Sequence, residues 1–178
     1  MNRRLALTLL AGTALSACAP AGPVEFGPDG QPIRGRRLSP AEQQGAPFRA
    51  QDAINALRGG RGLPALALDD NLSAAAATHS RDMSLQNRPW HFGSDGSSPI
   101  QRARRAGFQG ALLGEAISET FEDEIDTIAA WMDDPGTRRV ILDPQAARMG
   151  FGVYQEPNGK LWWTMTVGTA PGGLAAFG

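Results

Sequence analysis

The order of patterns along the chain predicts an α+β domain. Helical periodicities come first, two alternating apolar runs close the domain, and the turn between those runs carries Asn158-Gly159, a hairpin signal. Strands do not alternate with helices as they would in a doubly wound parallel sheet.

Phe48, Ala53, Ile54 and Leu57 recur at roughly helical spacing until Gly59, Gly60 and Gly62 break the pattern, which predicts a short first helix. Leu63 to Leu68 reads as an extended apolar connector. Asp69 or Asp70 then caps an Ala-rich helix to about Asn87, with Leu72, Ala76, His79 and Met83 along one face. Pro89 ends any helical run before it, so Arg88 to Gly93 reads as a loop. Ser98-Pro99-Ile100-Gln101 is a capping box with proline at the first helical position, and Gly107 stops that helix. Its expected buried side is Ile100, Ala103 and Phe108.

Leu113 to Ser118 alternates like a strand and places Leu113, Glu115 and Ile117 on one face, where a carboxylate is unusual. Thr120 is expected to open a helix to about Asp133, with Glu122, Asp123 and Glu124 favouring the dipole of its first turn. Asp134-Pro135 starts another, to about Leu142. The closing strands run from Met149 to Tyr154 and from Leu161 to Val167.

The amino terminus carries a different signal. Arg3 and Arg4 form a positive region, Leu5 to Ala14 a short apolar one, and Ser16 and Ala17 are small residues suited to cleavage. The apolar run falls short of the roughly 20 residues that span a bilayer. Leu15-Ser16-Ala17-Cys18 resembles the lipobox of bacterial lipoproteins, in which the cysteine thiol receives a diacylglycerol and cleavage falls before it. An ordinary signal peptide is the alternative, but Cys18 is the chain's single cysteine and would then be an unpaired thiol in an exported protein. Ala19 after the cysteine favours an outer-membrane anchor facing the periplasm.

The expected organisation is a signal peptide over 1–17, a lipidated Cys18 with a Pro/Gly-rich tether over 18–47, a folded unit over 48–169, and a flexible tail over 170–178. Removing Arg3 and Arg4 takes the basic residues from 17 to 15 against 18 acids, so the mature chain is mildly acidic. The arginines are scattered among acids and form no stripe that would track a phosphate backbone, which excludes a nucleic-acid partner.

From about Ala53 to Gly168 the residues resemble the CAP superfamily, also called SCP or PR-1-like: cysteine-rich secretory proteins, antigen 5 and pathogenesis-related 1. The matching pieces are Ala56-Leu57-Arg58, Gly62-Leu63-Pro64-Ala65-Leu66, His79-Ser80-Arg81-Asp82-Met83, His91, and Gly93-Ser94-Asp95-Gly96-Ser97-Ser98-Pro99. Gly114-Glu115-Ala116, Trp131-Met132-Asp133-Asp134-Pro135-Gly136-Thr137-Arg138, Ile141-Leu142, Gly150-Phe151-Gly152 and Trp163-Thr164 continue the series. The resemblance implies an α-β-α sandwich with a three-stranded antiparallel sheet between helices.

It also implies a cleft in which two histidines and two acids can hold a divalent cation such as zinc. His91 and Glu115 match the first pair, and imidazole and carboxylate are both good zinc ligands. Read without the resemblance, His91 is a surface loop residue beside Trp90, and Glu115 a partner for one of many arginines. The second half departs from the family. Thr137 stands where the pattern has histidine, and a hydroxyl is a poor substitute toward zinc. Asp134 matches the remaining acid approximately, but before Pro135 it reads first as a helix cap. Gly114-Glu115-Ala116 lacks the family's asparagine. With His91 and Glu115 as the residual ligands, no metal or other cofactor is expected. His79 lies on an apolar stripe and reads as a core histidine. Trp131 and Trp163 fit core positions, leaving Trp90 and Trp162 as candidate ligand contacts.

Two functions follow from these residues. The departures favour a non-catalytic binding module for an envelope component such as a lipid, peptide or cell-wall fragment. The alternative is a hydrolase in which Glu115 or His91 acts as general base on a water, with or without a metal. Ser80 and Ser97 lack a nucleophile elbow.

Overall fold

The structure, a computed structural model, describes Gly30, residues 36–120 and residues 122–172. The signal segment, Cys18 and the last residues of the tail lie outside the described residues. The elements run α1 (Pro40–Gly59), β1 (Ala67–Leu68), α2 (Asp70–Gln86), α3 (Pro99–Arg105), β2 (Leu112–Thr120), α4 (Glu124–Asp133), α5 (Pro135–Ile141), β3 (Arg148–Gln155) and β4 (Leu161–Gly168).

Local chemistry explains their ends. Ser39 and Glu42 form a reciprocal capping box at the start of α1, so the stretch from Pro40 to Pro47, whose proline and glycine suggested an extended tether, is helical. Its Ala46, Ala50 and Ile54 are buried. Asp69 caps α2, and Asn87 closes it in the left-handed region at φ 50°. Ser98 and Gln101 form the box at α3. The strand β2 runs through Thr120, and Asp123 caps α4 in place of the expected threonine, because the Asp123 carboxylate accepts from the Ile125 and Asp126 amides.

The sheet corrects one expectation. It has four strands in the order β1-β3-β4-β2 and is mixed, not three-stranded and antiparallel. The added strand is the apolar connector, whose Ala67 and Leu68 pair parallel to Arg148 and Met149. The Ala67 amide donates to the Ala147 carbonyl (3.1 Å) and the Asp69 amide to the Met149 carbonyl (2.8 Å). A two-residue strand carries no alternation, so only its partner reveals it. The expected hairpin is present: β3 and β4 are antiparallel, and Gly159 takes φ +90° in the turn.

Helices cover both faces of this sheet, giving an α-β-α sandwich. On one face α1, α4 and α5 bury Ile54, Ile128, Trp131 and Ile141 against Met149, Phe151, Trp163, Met165 and Val167. On the other, α2 lies directly on β3. A Cβ at Gly150 would fall 2.2 Å from the Leu72 carbonyl carbon, and one at Gly152 2.2 Å from the Ala77 amide nitrogen. Glycine at these two positions sets the close approach of helix and strand. α3 joins this face through Leu72, Ala103, Phe108 and Leu112.

An irregularity in the β2–β4 pairing between Leu112 and Gly114 changes the expected facing of β2. Leu112 packs with α2 and α3, whereas Leu113 packs with the opposite core. Past the irregularity Glu115 is turned toward the α2 side, where its carboxylate meets groups from α2, the loop that follows it and α3.

Candidate functional site

Glu115 is the centre of a buried polar cluster. Its side chain is 3% exposed and accepts two hydrogen bonds, from different elements. Oε1 lies 2.9 Å from His91 Nδ1, and Oε2 accepts from the Arg102 guanidinium at 2.7 Å. His79 Nε2 lies 3.8 Å from Oε1. The structure therefore brings His91 and Glu115 together as the resemblance implied. It also realises the plainer reading of Glu115, since an arginine pairs with it.

The His91 loop is held as firmly as the carboxylate. His79 is fully buried on α2, and its Nε2 lies 3.0 Å from the Trp90 carbonyl oxygen. A carbonyl only accepts, so the proton of this neutral imidazole sits on Nε2. One Arg102 nitrogen donates to the His91 and Ser97 carbonyls, both at 2.9 Å. Buried side chains thus clamp the peptide groups on both sides of His91. Asp82 closes the loop further along, accepting from the Ser94 amide (2.8 Å) and hydroxyl (2.5 Å).

Electrostatics follow from this packing. Burial holds the His79 imidazole below its ordinary value of 6.5, with Glu115 pulling the other way. Burial pushes the Asp82 carboxyl up, but hydrogen bonds from Ser94 and Gln86 outweigh it and leave the group below the usual carboxylate range. The His91 ring itself is 53% exposed. Its Nδ1–H points to the carboxylate, which leaves Nε2 as a lone pair available to solvent or substrate.

Asp134 and Thr137 form a separate assembly. Asp134 Oδ1 accepts from the Gly136 amide (2.8 Å) and the Thr137 amide (2.9 Å), the helix-cap role read from Pro135. These bonds hold its carboxyl below the ordinary value, the Thr137 amide contributing most. The Thr137 hydroxyl donates to the Trp131 carbonyl at 2.6 Å. The divalent-cation site implied by the resemblance does not fit these residues. A guanidinium already neutralises the Glu115 carboxylate, Thr137 is tied to backbone, and among the described residues no three His, Cys, Asp or Glu side chains are grouped to hold a metal ion.

Sequence reasoning missed Arg102. Ile100, expected on the buried side of α3, is exposed, and Arg102 takes the inward position beside Ala103. Its signal was indirect: a carboxylate on a buried strand face requires a cation, and α3 follows the His91 loop closely. The candidate Trp162 is fully buried, with Nε1 donating to Glu156 at 2.7 Å, so it contacts no ligand. Trp90 stays partly exposed beneath the Arg88 guanidinium, 3.3 Å from its ring centre.

Comparison with known proteins agrees with this architecture. The family model described as the cysteine-rich secretory protein family matches residues 51–167. A Bacillus subtilis protein named YkwD is 29% identical over 117 residues, which are 66% of this chain and 45% of that protein. Among solved structures, an extracellular protein containing an SCP domain from Bacillus anthracis superposes with a TM-score of 0.67 at 25% identity, covering 79% of this chain and 47% of its own. An outer surface protein from Borrelia burgdorferi superposes at 0.66 with 17% identity, covering 76% of this chain and 98% of that one. The chain thus spans about half the length of the two Bacillus relatives. With the sandwich, the His–Glu pair and a family match over most of the folded residues, this chain belongs to the cysteine-rich secretory protein (CAP) family.

Proposed function

We propose that the domain is a hydrolase in which His91 is the general base. The observation that supports it is the 2.9 Å bond from His91 Nδ1 to a carboxylate that is itself buried and secured by Arg102. A carboxylate behind one ring nitrogen selects the tautomer and stabilises the imidazolium formed when the other nitrogen takes a proton. His91 Nε2 removes a proton from a water, the water oxygen attacks an ester or amide carbonyl, and the imidazolium returns that proton to the leaving oxygen or nitrogen. Glu115 acts through His91 and touches no substrate. No step passes through a metal.

The binding-module reading is weaker on this geometry. A cleft meant only to grip a ligand has no need of a carboxylate and guanidinium locked beneath a half-exposed imidazole. The test is turnover of a panel of p-nitrophenyl esters and peptide p-nitroanilides by the full chain. His91→Gln is expected to lower turnover by roughly 10²–10⁴-fold, with Glu115→Gln following it and both variants still folded. Unchanged turnover in His91→Gln would refute the assignment.

We also propose that the chain is exported and anchored through Cys18 to the outer membrane, facing the periplasm, where its substrate is an envelope lipid, peptide or cell-wall fragment. The charged and apolar regions before Leu15-Ser16-Ala17-Cys18 support this. The export part alone is also in keeping with the words used of the relatives, extracellular in one case and outer surface in the other. Labelled palmitate fed to expressing cells should enter the protein and be lost in Cys18→Ala; label retained by that variant would contradict the anchor.

A further inference from the structure

We infer that a cavity beside the His91–Glu115 pair is a binding site for a small primary ammonium compound with a short apolar body. The cavity has a volume of about 490 Å³ and lies between α2, the loop that follows it and α3. That size is within the range of small-molecule sites. His91 and Glu115 do not line it, but His79 and Arg102 belong to both its wall and the cluster around Glu115.

Charge decides which ligand fits. Two arginines and two aspartates line the cavity, and three of the four are paired with opposite charges. Arg102 is bonded to Glu115, and Arg105 to Asp95. Asp82 meets only neutral donors, namely the Ser94 amide and hydroxyl and the Gln86 amide. Those bonds keep it ionised, so the wall holds one carboxylate that no cation of the described residues neutralises.

An ionised carboxylate that meets only neutral donors calls for a cationic partner. A carboxylate or phosphate ligand would meet Asp82 instead of a free cation. The apolar part of the ligand has the methyl groups of Ala74, Ala75 and Ala106 to lie against. This site is separate from the proposed catalysis and is tested without any turnover assay.

Backbone amide NMR of the full chain, titrated with n-butylammonium chloride, 1-butanol and sodium butyrate, tests the charge preference on one molecular frame. The ammonium salt should shift the signals of α2 and residues 94–97 saturably, at a dissociation constant at least about tenfold below that of butanol, with butyrate not saturating. Asp82→Asn should weaken the ammonium by about tenfold or more. If that variant loosens the loop, Ala74→Leu decides, since it fills the cavity from an exposed helix position and leaves the Asp82 bonds in place. No saturable shift with butylammonium, equal affinity for butyrate, or unchanged affinity in Ala74→Leu would each overturn the proposal.

Discussion

The two faces of the sheet are built on opposite principles. Against α1, α4 and α5 the strands present Met149, Phe151, Trp163, Met165 and Val167, a core with aromatic pairs at Trp131–Phe151 and Phe151–Trp163. Against α2 the same strands present glycines and polar groups, including Glu115, Thr164 and Thr166. The Ser80 hydroxyl on α2 donates to the Gly152 carbonyl at 3.1 Å and lies within hydrogen-bond distance of the Thr164 hydroxyl at 2.9 Å. The apolar face obtains its stability from area removed from water, which tolerates changes of detail. The polar face depends on directional bonds such as those at Glu115 and Ser80, so it specifies positions, and the candidate site is on that face.

The largest expected effect separates the two faces directly. Phe151→Ala should destabilise by about 3–5 kcal/mol through a cavity. Arg102→Leu should cost a comparable amount, about 3–5 kcal/mol, because Glu115 is left buried and unpaired. Their consequences for the site differ. Well below its unfolding temperature Phe151→Ala should keep the ester turnover of the parent, whereas Arg102→Leu should lose it, having released the carboxylate and the His91 and Ser97 carbonyls. Urea unfolding with turnover measured on the same samples checks both; equal losses of turnover would erase the contrast.

A smaller effect is electrostatic and belongs to the polar face alone. His79 is held below its ordinary value of 6.5 by burial, so at pH values between its folded and unfolded values the unfolded chain binds the extra proton. Its contribution is complete above about pH 6.5 and is lost as pH falls through the depressed folded value. Stability by urea unfolding should therefore drop between pH 7.5 and 5.5, and His79→Gln should flatten that slope. Glu42, lowered to about 2 by its bonds to Arg36 and Ser39, acts only in more acid solution. An unaltered slope in the His79 variant would show that this histidine is not the one resisting its proton.

The contrast between faces also explains what could be read from the residues. The apolar face was legible: Trp131 and Trp163 at core positions, the alternating closing strands and their hairpin turn follow from periodicity. Glu115 stood out for the same reason, as a charge in an apolar alternation. Arg102 did not, because among many scattered arginines nothing local marks the one turned inward, and its partner is on another element. The first turn of α1 was hidden by its own composition, with proline and glycine masking the Ser39–Glu42 cap. β1 exists only through its pairing with β3, and the turned register of Leu112 and Leu113 only through β4. Trp162 seemed available until the hairpin folded Glu156 and Lys160 onto it.

The central claim is that Glu115 holds His91 with its proton on Nδ1 and its Nε2 bare. Nitrogen-15 chemical shifts of the imidazole rings, measured on the full chain above pH 7.5 and assigned with His79→Gln, read this directly. The account predicts the Nδ1–H tautomer for His91 in the parent and its loss in Glu115→Ala. A parent His91 protonated on Nε2 would leave no base facing the substrate and would contradict it.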